Sequence, residues 1–321
     1  MMSNKLRYTL SMVIIMTSIA TSALSAAPET EAADKGQGFA SPEEASKALV
    51  DAARDNDKNK ISALFGSQYA QLFSSGDDVE DANNSAEFLK MAEQKSSIEN
   101  QQADKAILHF GQNDWAFPVP VVNNGGQWRF DAEQGKQEIL NRRIGRNELN
   151  TLAVIRGYVE AQYEYASIDW DGDGVGEFAA KLRSEPGKFD GLYWEAAVPG
   201  KPQSPLGPLV AEAKAAGYKT QGSTESMTPY HGYLYKILTR QGGNVPGGKY
   251  DYIINGNMIA GFALVAFPAV YGSSGIMTFV VNHNGKIYQK NLGPKTTELA
   301  LAMKVYDPDS SWEAVDENSG K

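Results

Sequence analysis

The chain has 321 residues, which is enough for about two domains, and 42% hydrophobic with 10% aromatic residues excludes disorder as its main state. A net charge of −9 disfavours nucleic acid as a partner. Cysteine is absent, which excludes disulfides, thiol catalysis and thiolate metal sites, and three histidines leave little material for imidazole chemistry.

The N-terminus has the order of a secretory signal peptide. Lys5 and Arg7 precede an apolar stretch that is followed by small residues. Ala23 and Ser25 occupy the small-residue positions, so residues 1–25 are predicted to be cleaved off and the protein to be periplasmic or secreted. An uncleaved anchor is the alternative, but the segment is short for a span. No later window approaches ~18 apolar residues, and we expect no membrane span in the mature chain.

The next segment, residues 26–38, is small, polar and acidic and is predicted to be a flexible tether. A capping box at Ser41-Pro42-Glu43-Glu44 then predicts a first helix that runs toward Asp55. A second short helix carries Ile61, Leu64 and Phe65 at helical spacing.

Strand patterns follow these two helices. Apolar residues at 107–110 and 115–122 precede a hairpin turn at 123–126. Pro118 and Pro120 lack a backbone donor, so the strand that holds them is predicted to lie at an edge or to be bulged. Two helices before a curved antiparallel sheet resemble the cone-shaped α+β domains related to nuclear transport factor 2, and residues 39–146 are predicted to form such a domain.

A helix is predicted from residue 135 to 166, with a break near Gly145-Arg146-Asn147 that we take as a domain boundary. Residues 147–316 are predicted to form a second domain, in which the long helix packs on an antiparallel meander. Its elements are a helix beginning after Ser204, hairpins at Asn255-Gly256 and Asn284-Gly285, and a short helix from about residue 296 to 306. The fold class is therefore predicted as α+β, with a loose tail at 317–321.

The sharpest local chemistry lies in the loop after the long helix. Asp169, Asp171 and Asp173 alternate along the chain with Gly174 directly behind them, and Glu177 follows. This spacing matches positions one, three, five, six and nine of an EF-hand loop, and hard carboxylate oxygens suit calcium. The four acidic residues are therefore predicted to bind a calcium ion.

One position of the EF-hand pattern is missing from this loop. The twelfth residue is Ala180 where an EF-hand has a bidentate glutamate. A remote acid such as Asp190 or Glu185 could complete the shell. The competing interpretation is a solvated Asp/Gly turn after a helix.

For the other candidate residues, a structural role is favoured over a functional one. His231 stands near three tyrosines without a recognisable nucleophile or orienting acid, so a strand-start histidine is favoured over a general base. His283 is predicted to be an exposed loop residue. Three arginines form a positive patch, for which a solvated face or an interdomain salt bridge is favoured over an anion site: Arg142, Arg143 and Arg146.

Four aromatic residues of the N-terminal half raise the question of a ligand pocket. The interpretation as ordinary core aromatics is favoured over a ligand pocket for all four residues: Trp115, Phe117, Trp128 and Phe130. The glycine-rich runs lack phosphate-binding spacing and are predicted to be turns.

Several long segments resemble an uncharacterised bacterial family, domain-of-unknown-function family 2950. They are FPVPVV, RRIGRNEL, AQYEYASIDWDGDGVGEFA, PGKFDGLYW, SPLGPLVA, PYHGY, GFALVAFPAVYGSSGIMTFVVNHNG and DPDSSW. This resemblance covers about residues 39–315 and implies an exported bacterial protein, with no functional residue to carry over. The half from Asn147 also resembles, remotely, the globular heads of type IV pilins and pseudopilins, some of which hold calcium in acidic loops. A prepilin peptidase signature is absent, which disfavours assembly into a pilus.

These patterns predict a non-catalytic, exported protein of the cell envelope that binds a protein or glycan partner and has a calcium-stabilised loop. The alternative is an envelope hydrolase with an Asp/Glu pair in an interdomain cleft as acid and base. We expect that two carboxylates converging in a deep pocket would favour the enzyme.

Overall fold

A computed structural model of the chain describes residues 34–55, 57–195, 203–218 and 228–316. The predicted signal peptide, most of the predicted tether and the predicted loose tail lie outside the described residues. The last part of the tether segment is anchored: Gln37 N donates to Ala63 O at 2.8 Å, and the Asp34 carboxylate accepts from Ser67 N at 3.0 Å. A freely moving linker therefore cannot extend beyond Asp34.

The described chain contains α-helices of very different lengths and two short 3-10 helices, at Ser67–Phe73 and Gly293–Lys295. The α-helices are α1 Pro42–Arg54, α2 Lys58–Phe65, α3 Asp78–Gln94, α4 Ala132–Ala166, α5 Gly207–Ala215 and α6 Thr296–Ala302. Among the described residues, no helix combines the length and the hydropathy that a bilayer span requires.

All strand pairs are antiparallel. The strands of the N-terminal half are β1 Ser96–Gln102, β2 Lys105–Phe110, β3 Trp115–Ala116, β4 Val121–Asn124 and β5 Gln127–Phe130, in the order β1-β2-β4-β5 with β3 also paired to β2. The later strands are β6 Tyr233–Leu238, β7 Arg240–Gln241, β8 Tyr250–Asp251, β9 Ile253–Ile254, β10 Asn257–Met258, β11 Ala263–Pro268, β12 Met277–Asn282, β13 Tyr288–Asn291 and β14 Glu313–Ala314. The larger sheet of this half has the order β14-β13-β12-β11-β6. Helices and antiparallel sheets thus follow one another along the chain, and the α+β class is confirmed.

Local turn and capping chemistry explains where several elements begin and end. Ser41 Oγ accepts from Glu44 N at 3.3 Å, and the Glu44 carboxylate accepts from Ala40 N at 3.0 Å, so the predicted capping box starts α1. Asn255 and Gly256 have φ values of +55° and +99°, which the β9–β10 hairpin turn requires.

The two prolines interrupt a strand, as predicted. β2 pairs with β3 at one end and with β4 at the other; Phe117 N still donates to Leu108 O at 2.8 Å, and residues 118–120 interrupt the regular pairing between the two ends. Pro118 and Pro120 therefore stand where no ladder hydrogen bond is needed.

The predicted break in the long helix is wrong. α4 runs without interruption for 35 residues through Gly145. A helical glycine costs about 1 kcal/mol relative to alanine, but side chains on both sides of it are anchored: Arg143 is buried, and the buried Asn147 donates its amide to Ser274 O at 3.0 Å. Tertiary contacts thus override the weak local propensity.

Two hydrophobic clusters lie along α4. One takes its buried members from residues 39–132 and includes Phe65, Leu108 and Phe110; the other takes them from residues 152–306 and includes Tyr158 and Phe267. Contacts group the whole chain from Asp34 onward into one unit. The assignment of residues 39–146 and 147–316 to separate domains therefore stays a prediction.

Candidate functional site

The acidic loop begins at Asp169, three residues past the end of α4, and is held by its own backbone. The Asp169 carboxylate accepts from Gly172 N and from Gly174 N, each at 2.8 Å, and Asp173 accepts from Val175 N at 2.8 Å. The N–H groups of Gly174 and Gly172 hold the pKa of Asp169 below its usual range. The backbone of the loop is therefore folded around the ionised Asp169 carboxylate.

Three of the four predicted ligands meet. Asp169, Asp171 and Asp173 are all exposed, and each places one carboxylate oxygen within 4.8 Å of the other two. Calcium binds oxygen at about 2.3–2.6 Å, so ligands on opposite sides of one ion are about 5 Å apart. The spacing of the three oxygens fits a single ion.

Glu177 is not part of this three-residue group. Its carboxylate accepts from Met258 N at 2.9 Å, and burial, followed by the charges of Asp171 and Asp173, raises its pKa. Sequence reasoning missed Asn257, whose amide donates to Asp173 Oδ2 at 2.6 Å. Asn257 lies on β10, 84 residues from Asp173 in the sequence. The one sequence signal at this position is that Asn257 directly follows the Asn255-Gly256 turn, which predicts an ordered hairpin but no contact with the loop.

The remote acids are engaged elsewhere. Lys181 Nζ lies 2.8 Å from a Glu185 oxygen and 2.7 Å from an Asp190 oxygen, and Asp190 also accepts from Glu185 N. Ala180, at the twelfth position, is exposed. Among the described residues, neither acid joins the aspartate group.

The loop is tied to the second hydrophobic cluster at both ends. On the exit side, the buried Gln162 binds Ala179 twice: its Nε2 donates to Ala179 O and its Oε1 accepts from Ala179 N, each at 2.9 Å. On the entry side, Trp170 donates its indole N–H to Tyr165 O at 2.9 Å and lies edge-on to Trp194, with ring centroids 4.7 Å apart. An ion bound between the aspartates would thus act on residues packed into this cluster.

The other candidates from the sequence have structural surroundings. His231 stands just before β6 with φ +51°, and its Nδ1 lies 3.3 Å from the Asn150 amide nitrogen. The prediction of an exposed His283 is wrong: it is half-buried beside Tyr252, and burial lowers its pKa. Phe117 and Phe130 are buried with ring centroids 6.1 Å apart, as core aromatics.

A buried polar junction joins distant parts of the chain at the start of α3. Asp77 caps this helix by accepting from Glu80 N at 3.0 Å, and its other oxygen accepts from Tyr218 OH at 2.7 Å and from Gly232 N at 3.3 Å. Burial, followed by the hydrogen bond to Asp77, raises the pKa of Tyr218. Asp77 therefore holds three separate segments together.

Two members of the predicted arginine patch bind next to this junction. Arg146 pairs with Glu80 at 3.2 Å. The buried Arg143 donates to Leu72 O, to Ser74 O at 3.1 Å and to Ser273 Oγ at 3.1 Å. The patch thus provides buried hydrogen bonds and an ion pair, in line with the salt-bridge interpretation.

Glu80 is a buried carboxyl with an incomplete set of partners. Its Oε1 accepts from Arg146, whereas its Oε2 is buried without a hydrogen bond. Burial raises its pKa, against the opposing charge of Arg146. A carboxyl whose pKa is higher in the folded than in the unfolded chain costs stability, and this cost grows as the pH rises through the unfolded value.

We expect Glu80→Gln to raise the free energy of unfolding at pH 7, by on the order of 1 kcal/mol, because it removes a desolvated charge and leaves Arg146 partly in water. The gain should shrink toward pH 4, where Glu80 is protonated. Urea unfolding at both pH values measures it. Glu87→Gln, an exposed position on α3, is the control, and a Glu80→Gln protein less stable than the parent at pH 7 would contradict the assignment.

The fold and the loop define an α+β protein with an acidic Asp/Gly loop at the end of its longest helix. Over residues 36–315 the chain matches the family described as "Protein of unknown function (DUF2950)", and it belongs to this family, which confirms the identification from sequence segments. No curated protein and no solved structure has a significant match to the chain. The resemblance to pilin heads and that to nuclear transport factor 2 are therefore not confirmed.

Proposed function

We propose that the protein is an exported, non-catalytic binding protein of the cell envelope, periplasmic or secreted, whose acidic loop binds calcium and orders the surface that contacts a partner protein or glycan. The observation that carries the calcium assignment is the approach of three carboxylate oxygens from Asp169, Asp171 and Asp173 to within 4.8 Å of one another. The export assignment rests on the residue order at the N-terminus.

The donor chemistry of the loop supports calcium over softer metals. Its candidate ligands are carboxylates, and no cysteine exists in the chain. In an EF-hand the ninth position often acts through water, and we propose the same indirect role for Glu177, which lies outside the aspartate group and accepts from Met258 N. The Asn257 side-chain amide donates to Asp173 Oδ2 at 2.6 Å and so holds one of the proposed ligands in place.

Thermal unfolding in 10 mM calcium and in EDTA tests the proposal. Extracellular calcium modules have dissociation constants of about 10⁻⁴ to 10⁻³ M. At the tighter end, 10 mM calcium stabilises the folded state by about 2.7 kcal/mol, which we expect as a rise in the midpoint of roughly 5–10 °C. Equal midpoints would remove calcium from the assignment.

A pair of matched variants makes this test specific. Asp171→Asn should lose most of the calcium-dependent rise, while its side-chain oxygen can still accept from Asp173 N as the native Asp171 does. Asp251→Asn removes an exposed acid elsewhere, paired with Arg240, and should keep the full rise. A calcium effect of the same size in both variants would show nonspecific screening.

Among the described residues, the hydrolase alternative has a structural candidate in the carboxyls of Asp77 and Glu80, which lie one helical turn apart and are both buried. Asp77, however, already accepts from a backbone cap, a tyrosine and Gly232 N, which leaves it little freedom to act on a substrate. The geometry supports a binding protein better.

A further inference from the structure

Residues 183–189, 194 and 195, which follow the acidic loop in the sequence, line a surface cavity of about 430 Å³. Two aromatic and four charged residues dominate its lining: Arg183, Glu185, Lys188, Phe189, Trp194 and Glu195. The volume is within the range of small-molecule pockets, about 300–1,000 Å³.

The charged residues of the lining are paired with one another. Arg183 lies 3.5 Å from Glu195, and Lys188 forms an ion pair with Glu185. Two cations and two anions leave the lining without net charge. An ionic ligand would meet one repelling partner for each attracting one, and a purely apolar ligand would leave charged groups desolvated without hydrogen bonds.

The aromatic part of the lining gives the cavity an apolar wall, in which Phe189 is the partly exposed ring and Trp194 is the buried ring that supports it. Phe189 lies edge-on to Trp194, with ring centroids 5.1 Å apart, and both rings contact Trp170. Tyr165 OH donates to Phe189 O at 2.6 Å, which fixes this wall to the end of α4. The cavity thus joins a rigid apolar surface to a rim of paired donors and acceptors.

We infer that this cavity binds a neutral oligosaccharide. A sugar ring presents C–H faces that pack on aromatic rings and hydroxyl groups that both donate and accept hydrogen bonds. Carboxylates of the rim accept from hydroxyls, and the Arg183 guanidinium and Lys188 ammonium donate to them as charge-assisted hydrogen bonds. A neutral saccharide therefore uses both halves of such a lining without leaving a charge unpaired.

Trp170 couples the cavity to the acidic loop, and this part of the inference rests on the proposed function. Trp170 stands between Asp169 and Asp171 in the sequence, and its ring contacts both aromatic residues of the cavity wall. An ion held by the two flanking aspartates fixes the backbone of Trp170 and with it the wall. Calcium should therefore tighten saccharide binding, by about threefold to tenfold.

Isothermal titration calorimetry of the purified protein with triacetylchitotriose, cellotriose and maltotriose tests the inference. We expect at least one of these neutral trisaccharides to bind, and trigalacturonate and tetra-alanine not to bind. Binding of the anionic sugar or of the peptide in place of the neutral sugars would overturn the assignment, as would the absence of any binding by a protein that circular dichroism shows to be folded.

Three variants locate the site. Arg183→Gln and Phe189→Leu should each weaken binding about tenfold, which is 1.4 kcal/mol, while leucine keeps apolar cover on Trp170. Arg240→Gln breaks another arginine–carboxylate pair, the more exposed one with Asp251 on β8, which is not part of the cavity lining, and should change affinity less than twofold. Equal losses in all three variants would contradict a site at the cavity.

The outcomes separate this inference from the metal site. Saccharide binding with equal affinity in calcium and in EDTA would overturn the coupling through Trp170. A calcium-dependent unfolding midpoint without saccharide binding would overturn the cavity assignment and leave the calcium loop standing. Saccharide binding combined with unchanged midpoints would contradict the calcium assignment, and with it the coupling through Trp170, and would leave the cavity assignment standing.

Discussion

Asp77→Ala is expected to lower the free energy of unfolding by about 3 to 5 kcal/mol. Loss of the α3 cap accounts for about 0.5–2 kcal/mol, and each buried donor left without an acceptor adds about 1–3 kcal/mol. Those donors are Tyr218 OH and Gly232 N. Because proteins are stable by only about 5–15 kcal/mol, such a loss is large. Urea unfolding followed by circular dichroism measures it.

The neighbouring residue provides the control. Asp78 stands one position later on α3 with 91% of its side chain exposed and a 3.7 Å contact to Lys58. Asp78→Ala should change stability by less than about 0.5 kcal/mol. Asp77→Asn should fall in between, because its side-chain oxygen still caps α3 while its amide faces Gly232 N–H. Similar losses for Asp77→Ala and Asp78→Ala would contradict the junction.

Arg143→Met is expected to cost about 2 to 4 kcal/mol. Methionine replaces the apolar stem, but Leu72 O and Ser74 O lose a charged donor inside the protein. The loss also removes the hydrogen bond to Ser273, so the segment before α3 and the loop before β12 are both released from α4.

Lys136→Met is the matched control, since it removes an exposed cation from the same helix and should alter stability by less than about 0.5 kcal/mol. Both variants are compared by urea unfolding at pH 7. If Arg143→Met were as stable as Lys136→Met, the buried hydrogen bonds would carry no net stabilisation.

Elements with strong local signals could be predicted from the sequence. The capping box at Ser41 and the Asn-Gly turn at 255–256 each depend on a few neighbouring residues only. The alternation of aspartates along the acidic loop likewise predicted that Asp169, Asp171 and Asp173 lie close together, as they do. Local chemistry was sufficient at these positions.

α3 was missed although Phe88, Met91 and Ala92 stand at helical spacing and pack, partly buried, against the first hydrophobic cluster. The only residue of this helix that is fully buried is Glu80, so its apolar face is short and weak as a sequence signal. A start signal was nevertheless present in Asp77 and the acidic first turn of Asp78, Glu80 and Asp81. A search for N-cap residues and acidic first turns, made separately from the search for hydrophobic periodicity, would have predicted this helix.

The junction and the cavity could not be predicted in the same way. Asp77 is 141 residues from Tyr218 and 155 from Gly232, and no spacing rule links positions that far apart. The cavity likewise depends on how Phe189 and Trp194 pack beside Trp170, which only the folded chain determines. Long-range contacts of this kind require the tertiary structure.

The unbroken course of α4 constrains how the length of this chain can vary. Each added residue between the two clusters would turn everything downstream by about 100° around the helix axis and displace it by about 1.5 Å. The register of Arg143 and Asn147 against their acceptors would then be lost. Insertions and deletions among relatives should therefore fall in surface loops, and the middle of α4 should keep a constant residue count.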